Sequence, residues 1–215
     1  MSRVHIETDA IILTSTEVRD DRILHLLTPE QGRLPVVAKR ARKTSKRFGG
    51  QLQAITLLEA RLTLHEGRDL GYVDASSERH SFAKVKGTLE RFAYASVMIE
   101  VVTHLIPPHG HEPGVFQLLE RALNHLNNAD EVGEEILALF ELRMLRGLGL
   151  LPSWDALIGI PQEAIVVLEA WLSSQWQALP GESLFPTIKA LETLIQETSG
   201  RRLKSRGVLS DLIGS

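Results

Sequence analysis

Seven positively charged side chains and no negative one lie between Arg33 and Arg47: Arg33, Lys39, Arg40, Arg42, Lys43, Lys46 and Arg47. Six of them fall within the nine residues from Lys39 to Arg47, where they repel one another unless they are solvated or matched by an anionic partner. Their natural chemistry is polyanion binding. Each cation that meets a phosphate releases condensed counterions, and Thr44 and Ser45 add hydroxyls for phosphate oxygens. Phe48, just beyond, supplies a ring that can stack on a base. Phe48 and Tyr72 are the only Phe, Tyr or Trp residues among the first 80, and Tyr72 reads as a barrel-wall residue. The set predicts a nucleic-acid interface built mainly on backbone contacts. A solvated loop without a ligand is the plainer alternative.

Other candidate sites are weaker. Arg201, Arg202, Lys204 and Arg206 follow the expected end of a helix, where cations complement the helix dipole. Four cations in six residues exceed what capping requires, which leaves room for a second DNA or acidic-tail contact. Arg143 and Arg146 lie three apart and share one helix face beside Leu139 and Phe140, so they are either solvated or positioned to receive an acidic peptide. His104, His109 and His111, with Glu112, form the one metal-like grouping. His104 ends a helix and the others fall in a loop, so no regular frame fixes three ligands, and no metal is expected. There is no Gly-x-x-x-x-Gly-Lys-Ser/Thr loop and no Gly-x-Ser-x-Gly elbow. Asp20-Asp21 and Glu134-Glu135 read as turn and helix-start acids. Neither catalysis nor a cofactor is expected.

Composition narrows the setting. The 215 residues carry a net charge of −3, which argues against a protein that coats nucleic acid over its whole surface. Residues 1–80 hold 13 Lys and Arg against 11 Asp and Glu, whereas residues 81–215 hold 11 against 16, so positive charge is concentrated at the front. The absence of cysteine excludes disulfides, thiolate nucleophiles and cysteine-ligated zinc. No apolar run is long enough to span a bilayer, and Met1–Glu7 lacks the order of a secretory signal. The expectation is a cytoplasmic, nucleoid-associated protein with no membrane contact.

The elements that must carry these residues change character along the chain. Residues 10–13, 22–27, 34–38, 56–64 and 70–75 read as five short strands, with a turn at 28–32 and a hairpin loop at 66–69. Pro35 confines its strand to an edge or to its first residues. Five strands in so short a span predict a five-stranded OB-fold barrel over residues 1–80. Helical periodicity follows: an all-apolar helix over 89–106, an amphipathic one over 115–126, then 134–148, 161–179, 187–198 and a short one to 213. Residues 81–215 are therefore expected to form an all-α domain.

Four segments together resemble the bacterial recombination mediator family RecO. They are Asp21–Leu34, then Ala38–Arg42 with Gly50–Gln53 and Thr56–Glu59, then Phe140–Gly149, and finally Leu203–Arg206. Their order and spacing agree across nearly the whole chain. The resemblance implies an N-terminal OB-fold and a C-terminal helical domain, binding to single- and double-stranded DNA, and annealing of complementary strands without ATP. It also implies partnership with RecR and with the acidic C-terminal tail of single-stranded DNA-binding protein, and, through them, loading of the RecA recombinase. Many members carry a four-cysteine zinc module after the Leu-Gly motif. Here Leu151–Gly159 holds no cysteine, so that module is expected to be reduced or absent near 150–160. A nonspecific RNA-binding OB protein would use the same basic loop. A metal hydrolase built on the three histidines is the enzymatic alternative.

Overall fold

The computed structural model describes residues 3–41, 48, 52–67 and 69–214. Five strands, β1 (Arg3–Val18), β2 (Asp21–Thr28), β3 (Gly32–Ala38), β4 (Leu57–His65) and β5 (Gly71–His80), close into a barrel in the order β1-β2-β3-β5-β4. Neighbours are antiparallel except β3 and β5, which close the barrel through a parallel seam of two residue pairs, Val36 with Gly71 and Val37 with Tyr72. Pro35 precedes that seam and pairs only with His25 of β2, so its missing N–H breaks no bond between β3 and β5. This is the five-stranded OB-like architecture expected from the sequence.

The run Ala10-Ile11-Ile12-Leu13 lacks the polar alternation of a half-exposed strand because both of its faces are covered. Ala10 and Ile12 point into the barrel with Leu24, Leu26, Val36 and Leu62, whereas Ile11 and Leu13 join Leu27 and Leu57 in a core shared with the helices. The structure extends β1 well past the run, to 16 residues, with a bulge between Ile12 and Thr14.

The helices are α1 (Ala83–Gly87), α2 (Leu89–Leu105), α3 (Val115–Asn128), α4 (Glu134–Gly147), α5 (Gln162–Leu172), α6 (Gly181–Ser199) and α7 (Lys204–Ile213), with a 3₁₀ turn at Trp154–Ala156. Helix α2 packs against α1, α3, α4, α6 and α7, which accounts for its apolar residues all round. Two boundaries differ from expectation. Helix α5 ends at Leu172 because the chain folds back on itself: Trp176 stacks on Trp171 with ring centres 5.3 Å apart, and Trp171 Nε1 donates to Gln177 O. Helix α6 starts at Gly181 and carries Pro186 inside it, where the sequence pattern suggested a start at Thr187. Pro186 lies in the second turn, so its missing N–H leaves one carbonyl near the helix start unpaired, a smaller loss than in mid-helix. Among the described residues no helix is long and apolar enough to cross a membrane.

The β2–β3 turn is locked to the loop after α2. Arg33 N–H donates to Gly110 O, His109 N–H donates to Arg33 O, and His111 Nε2 donates to Pro29 O. The fit is close enough to require glycine: a Cβ on Gly32, at φ +62°, would lie 2.1 Å from Gly110 O. Gly67 has a similar φ of +74° but open space around it. Gly67→Ala should therefore cost only the left-handed backbone penalty, about 1 kcal/mol. Gly32→Ala should cost about 3 kcal/mol or more, because backbone must move as well. Urea unfolding of both variants checks this; equal losses would mean the contact with Gly110 does not hold the turn.

Candidate nucleic-acid interface

Strand β3 ends at Ala38 and β4 begins at Leu57, so Lys39–Arg47 lies in the connection between them. Arg42, Lys43, Lys46 and Arg47 lie outside the described residues. Lys39 and Arg40 are exposed at the head of that connection. Arg40 has φ +54°, and its N–H donates to Asp21 Oδ1 at 2.7 Å, which ties the exit of β3 to the start of β2. The Lys39 ammonium sits 4.4 Å from the centre of the Tyr72 ring.

Two residues of the predicted set have other work. Phe48 is 2% exposed and packs among the barrel-interior residues, so its ring is not presented for stacking on a base. An aromatic flanking a basic run looks like a stacking platform, yet a small barrel also needs a large apolar plug, and here the plug wins. Arg33 points at the helices: its Nη1 donates to Thr103 O at 2.8 Å and to Ile106 O at 2.7 Å, the terminal carbonyls of α2. Burial, reinforced by Arg201, holds this guanidinium below its ordinary pKa. Arg33 is thus a strut between barrel and helix, not a phosphate ligand.

The second basic cluster divides. Arg201, Arg202 and Lys204 are exposed, while Arg206 is buried and donates to Glu134 Oε1 at 2.8 Å. Arg206 is an internal charge and is not offered to a ligand. Lys204 N–H and Ser205 N–H both donate to the Glu100 carboxylate, which caps the N-terminus of α7. His104 lies 3.7 Å from the same carboxylate. Burial, together with Arg201, Arg33 and Lys204, lowers its pKa against the pull of Glu100. His109 gives its backbone N–H and His111 its ring to the β2–β3 turn, and the described residues contain no group of three or more His, Cys, Asp or Glu able to hold a metal.

Helices α3 and α4 flank a groove of about 540 Å³. Leu118, Leu139, Phe140 and His125 line it, and Arg121 and Arg143 give it positive character. Arg143 is steadied by a bond from Nη2 to Trp171 O at 3.1 Å. Arg146 is exposed and does not line the groove. The sequence reading missed Arg121 and His125. Gln117, Arg121 and His125 recur every four residues and so share a face, but only packing shows that this face meets Arg143.

Models of two families match the chain: Recombination protein O N terminal over residues 1–82 and Recombination protein O C terminal over residues 86–158. This chain belongs to the RecO family. The DNA repair protein RecO of Anaeromyxobacter sp. (strain K) is 35% identical over 156 residues, which cover 73% of this chain and 61% of that protein. That of Symbiobacterium thermophilum is 32% identical over 158 residues, 73% of this chain and 62% of that protein. The chain thus spans about three fifths of the length of the RecO relatives it matches.

The cysteine-ligated zinc found in many RecO members does not fit these residues. In place of thiolates the segment 150–160 presents Leu150, Leu151, Trp154 and Ile160 to the helical core, and Trp154 Nε1 donates to Glu169 Oε1 at 3.0 Å.

Helix α4 also carries Glu141 on its hidden side, 0% exposed and with neither carboxylate oxygen hydrogen-bonded. Burial pushes this carboxyl up to about 8, with Glu192 and Glu134 adding to the shift and Arg206 opposing it. The folded protein therefore keeps this proton where the unfolded chain has lost it. The group's contribution to stability is full below about 4.5 and is lost as pH rises towards about 8. Glu141→Gln should match the parent near about pH 5 and exceed it near about pH 8. Chemical denaturation at both pH values tests this; a parent-like pH slope in the variant would mean that Glu141 is not the group responsible.

Proposed function

We propose that this chain is a DNA repair and homologous-recombination mediator. In this reading residues 1–80 are a nucleic-acid-binding domain and residues 81–215 a helical domain. The protein binds single- and double-stranded DNA, anneals complementary strands without ATP and, with RecR, helps load RecA onto single strands coated by single-stranded DNA-binding protein. One observation carries the reading: in a RecO-family chain, six cations occupy one connection between two strands of a closed barrel.

Annealing needs no catalytic residue. Two polyanions must be held close and their repulsion lowered, after which base pairing supplies the free energy. If about five cations of the connection meet phosphates, log affinity for a single strand should fall against log salt with a slope of about −3 to −4. Replacing Arg40, Arg42, Lys43, Lys46 and Arg47 together with alanine should flatten that slope and abolish annealing. Retention of both by the variant would remove the connection from the mechanism. Structured RNA bound more tightly than DNA would favour the RNA-binding alternative.

The α3–α4 groove supports a second part of the proposal, capture of the acidic C-terminal tail of single-stranded DNA-binding protein. An acidic peptide with an apolar end needs cations beside an apolar floor, and Arg121 and Arg143 flank Phe140 and Leu139 in this way. Truncating either arginine should weaken a labelled acidic-tail peptide by about ten- to a hundredfold, the loss of one charge-assisted contact. Arg146→Ala should have little effect. Equal affinity in all variants would place the tail elsewhere.

A further inference from the structure

We infer that the groove crossing the β3–β5 seam holds an unpaired base of a single strand, stacked on Tyr72 in place of the Lys39 ammonium. The inference rests on the DNA-binding reading above and adds a path and a positioning residue to it. Because Phe48 is buried, Tyr72 is the one Phe, Tyr or Trp among the described residues of the barrel whose ring reaches the surface. Strand register sets it at the centre of a row. Val37 of β3 pairs with Tyr72 of β5, Tyr72 with Thr63 of β4, and Thr63 with His5 of β1. These residues line a groove of about 460 Å³, with Arg3, Lys39 and His65 at its edges.

The ring is already held for a flat partner. His65 meets it edge-on at 5.5 Å, and Lys39 covers one face at 4.4 Å. An exposed cation–π contact is weaker than the stacking of a base on an aromatic ring, so an arriving base displaces the ammonium. Lys39, the first cation of the β3–β4 connection, is then released onto a phosphate. Asp74, the carboxylate in the groove, accepts a hydrogen bond from Thr63 Oγ1 on the barrel wall. A duplex cannot make this exchange, because its base faces are already stacked on one another. The groove therefore favours single strands, whereas cations alone serve both forms.

The test uses the full chain, with binding measured by anisotropy for a thymidine oligomer, an abasic oligomer of equal length and a duplex. Tyr72→Leu should weaken the thymidine oligomer by about five- to a hundredfold and leave the abasic oligomer and the duplex within about twofold; Tyr72→Phe should bind as the parent does. Lys39→Met should reduce the single-strand salt slope by about 0.7. In the unmutated protein, an iodouracil-substituted oligomer should crosslink to the peptide carrying Tyr72, a readout that does not depend on any variant folding. Parent-like affinity of Tyr72→Leu for the thymidine oligomer, or a crosslink mapping elsewhere on the barrel, overturns the groove while leaving the wider reading intact. Failure of the unmutated protein to bind either the oligomer or the duplex overturns the wider reading and the groove with it.

Discussion

The Arg33 guanidinium is the charged tie between the barrel and the helices. It caps the last carbonyls of α2, groups that the helix itself cannot satisfy, from a position on β3 held by two further backbone bonds to the 107–111 loop. A charge in a half-buried seam needs its donors used: Nη1 makes two bonds to carbonyls, while Nε is buried without a partner, in keeping with the lowered pKa of this group. Beneath the seam, Ile11, Leu13, Leu27 and Leu57 share one core with Tyr94, Val97, Met98 and Val101 of α2. The barrel is thus no isolated module, since one of its outer faces is interior.

Charge in this molecule is sorted by what each cation faces. Arg33 and Arg206 are turned inward, the first onto carbonyls and the second onto Glu134. Arg22, Arg61 and Arg79 on the barrel wall pair with Glu17, Glu7 and Asp9 on β1. Exposed pairs of this kind contribute little stability but lower the local field. With these set aside, Lys39–Arg47 remains the densest run of positive charge in a chain of net charge −3. A small excess concentrated in one connection is the charge pattern that the proposed local polyanion site needs, and it does not make the whole surface adhesive.

Much of the fold was legible because its signals are local. The turn at 28–32, the all-apolar α2 and the stripe of α3 each follow from a period or a breaker within a few residues. The ends of β1 were not legible, since residues 3–9 and 14–18 are largely polar and become strand only when β4 and β2 supply partners. Pro180-Gly181 reads as a break and is one, but the helix resumes at once and absorbs Pro186. At the candidate site the cation run was legible, and the division of labour within it was not. Whether Arg33 faces phosphate or helix depends on Thr103 and Ile106, seventy and more positions away. The placing of Phe48 inside the barrel and of Tyr72 at its surface is similar, because nothing local says which ring the interior takes.

The segment after α4 shows how a crosslink can be made without thiolates. Leu145 O accepts from both Leu150 N–H and Leu151 N–H, which turns the chain sharply at the end of α4. Leu150, Leu151 and Trp154 then anchor the chain in the helical core, and the indole N–H reaches Glu169 on α5. A metal would hold four points rigidly through strong bonds. Here apolar burial and a few hydrogen bonds join α4 to α5. Arg143 on α4 bonds to Trp171 O at the end of α5, and Trp171 is fixed by Trp176 and Gln177 O. The aim of Arg143 into the α3–α4 groove therefore depends on how firmly α5 is docked, so the apolar anchors at 150–154 and the cation that would receive an acidic peptide are parts of one mechanical unit.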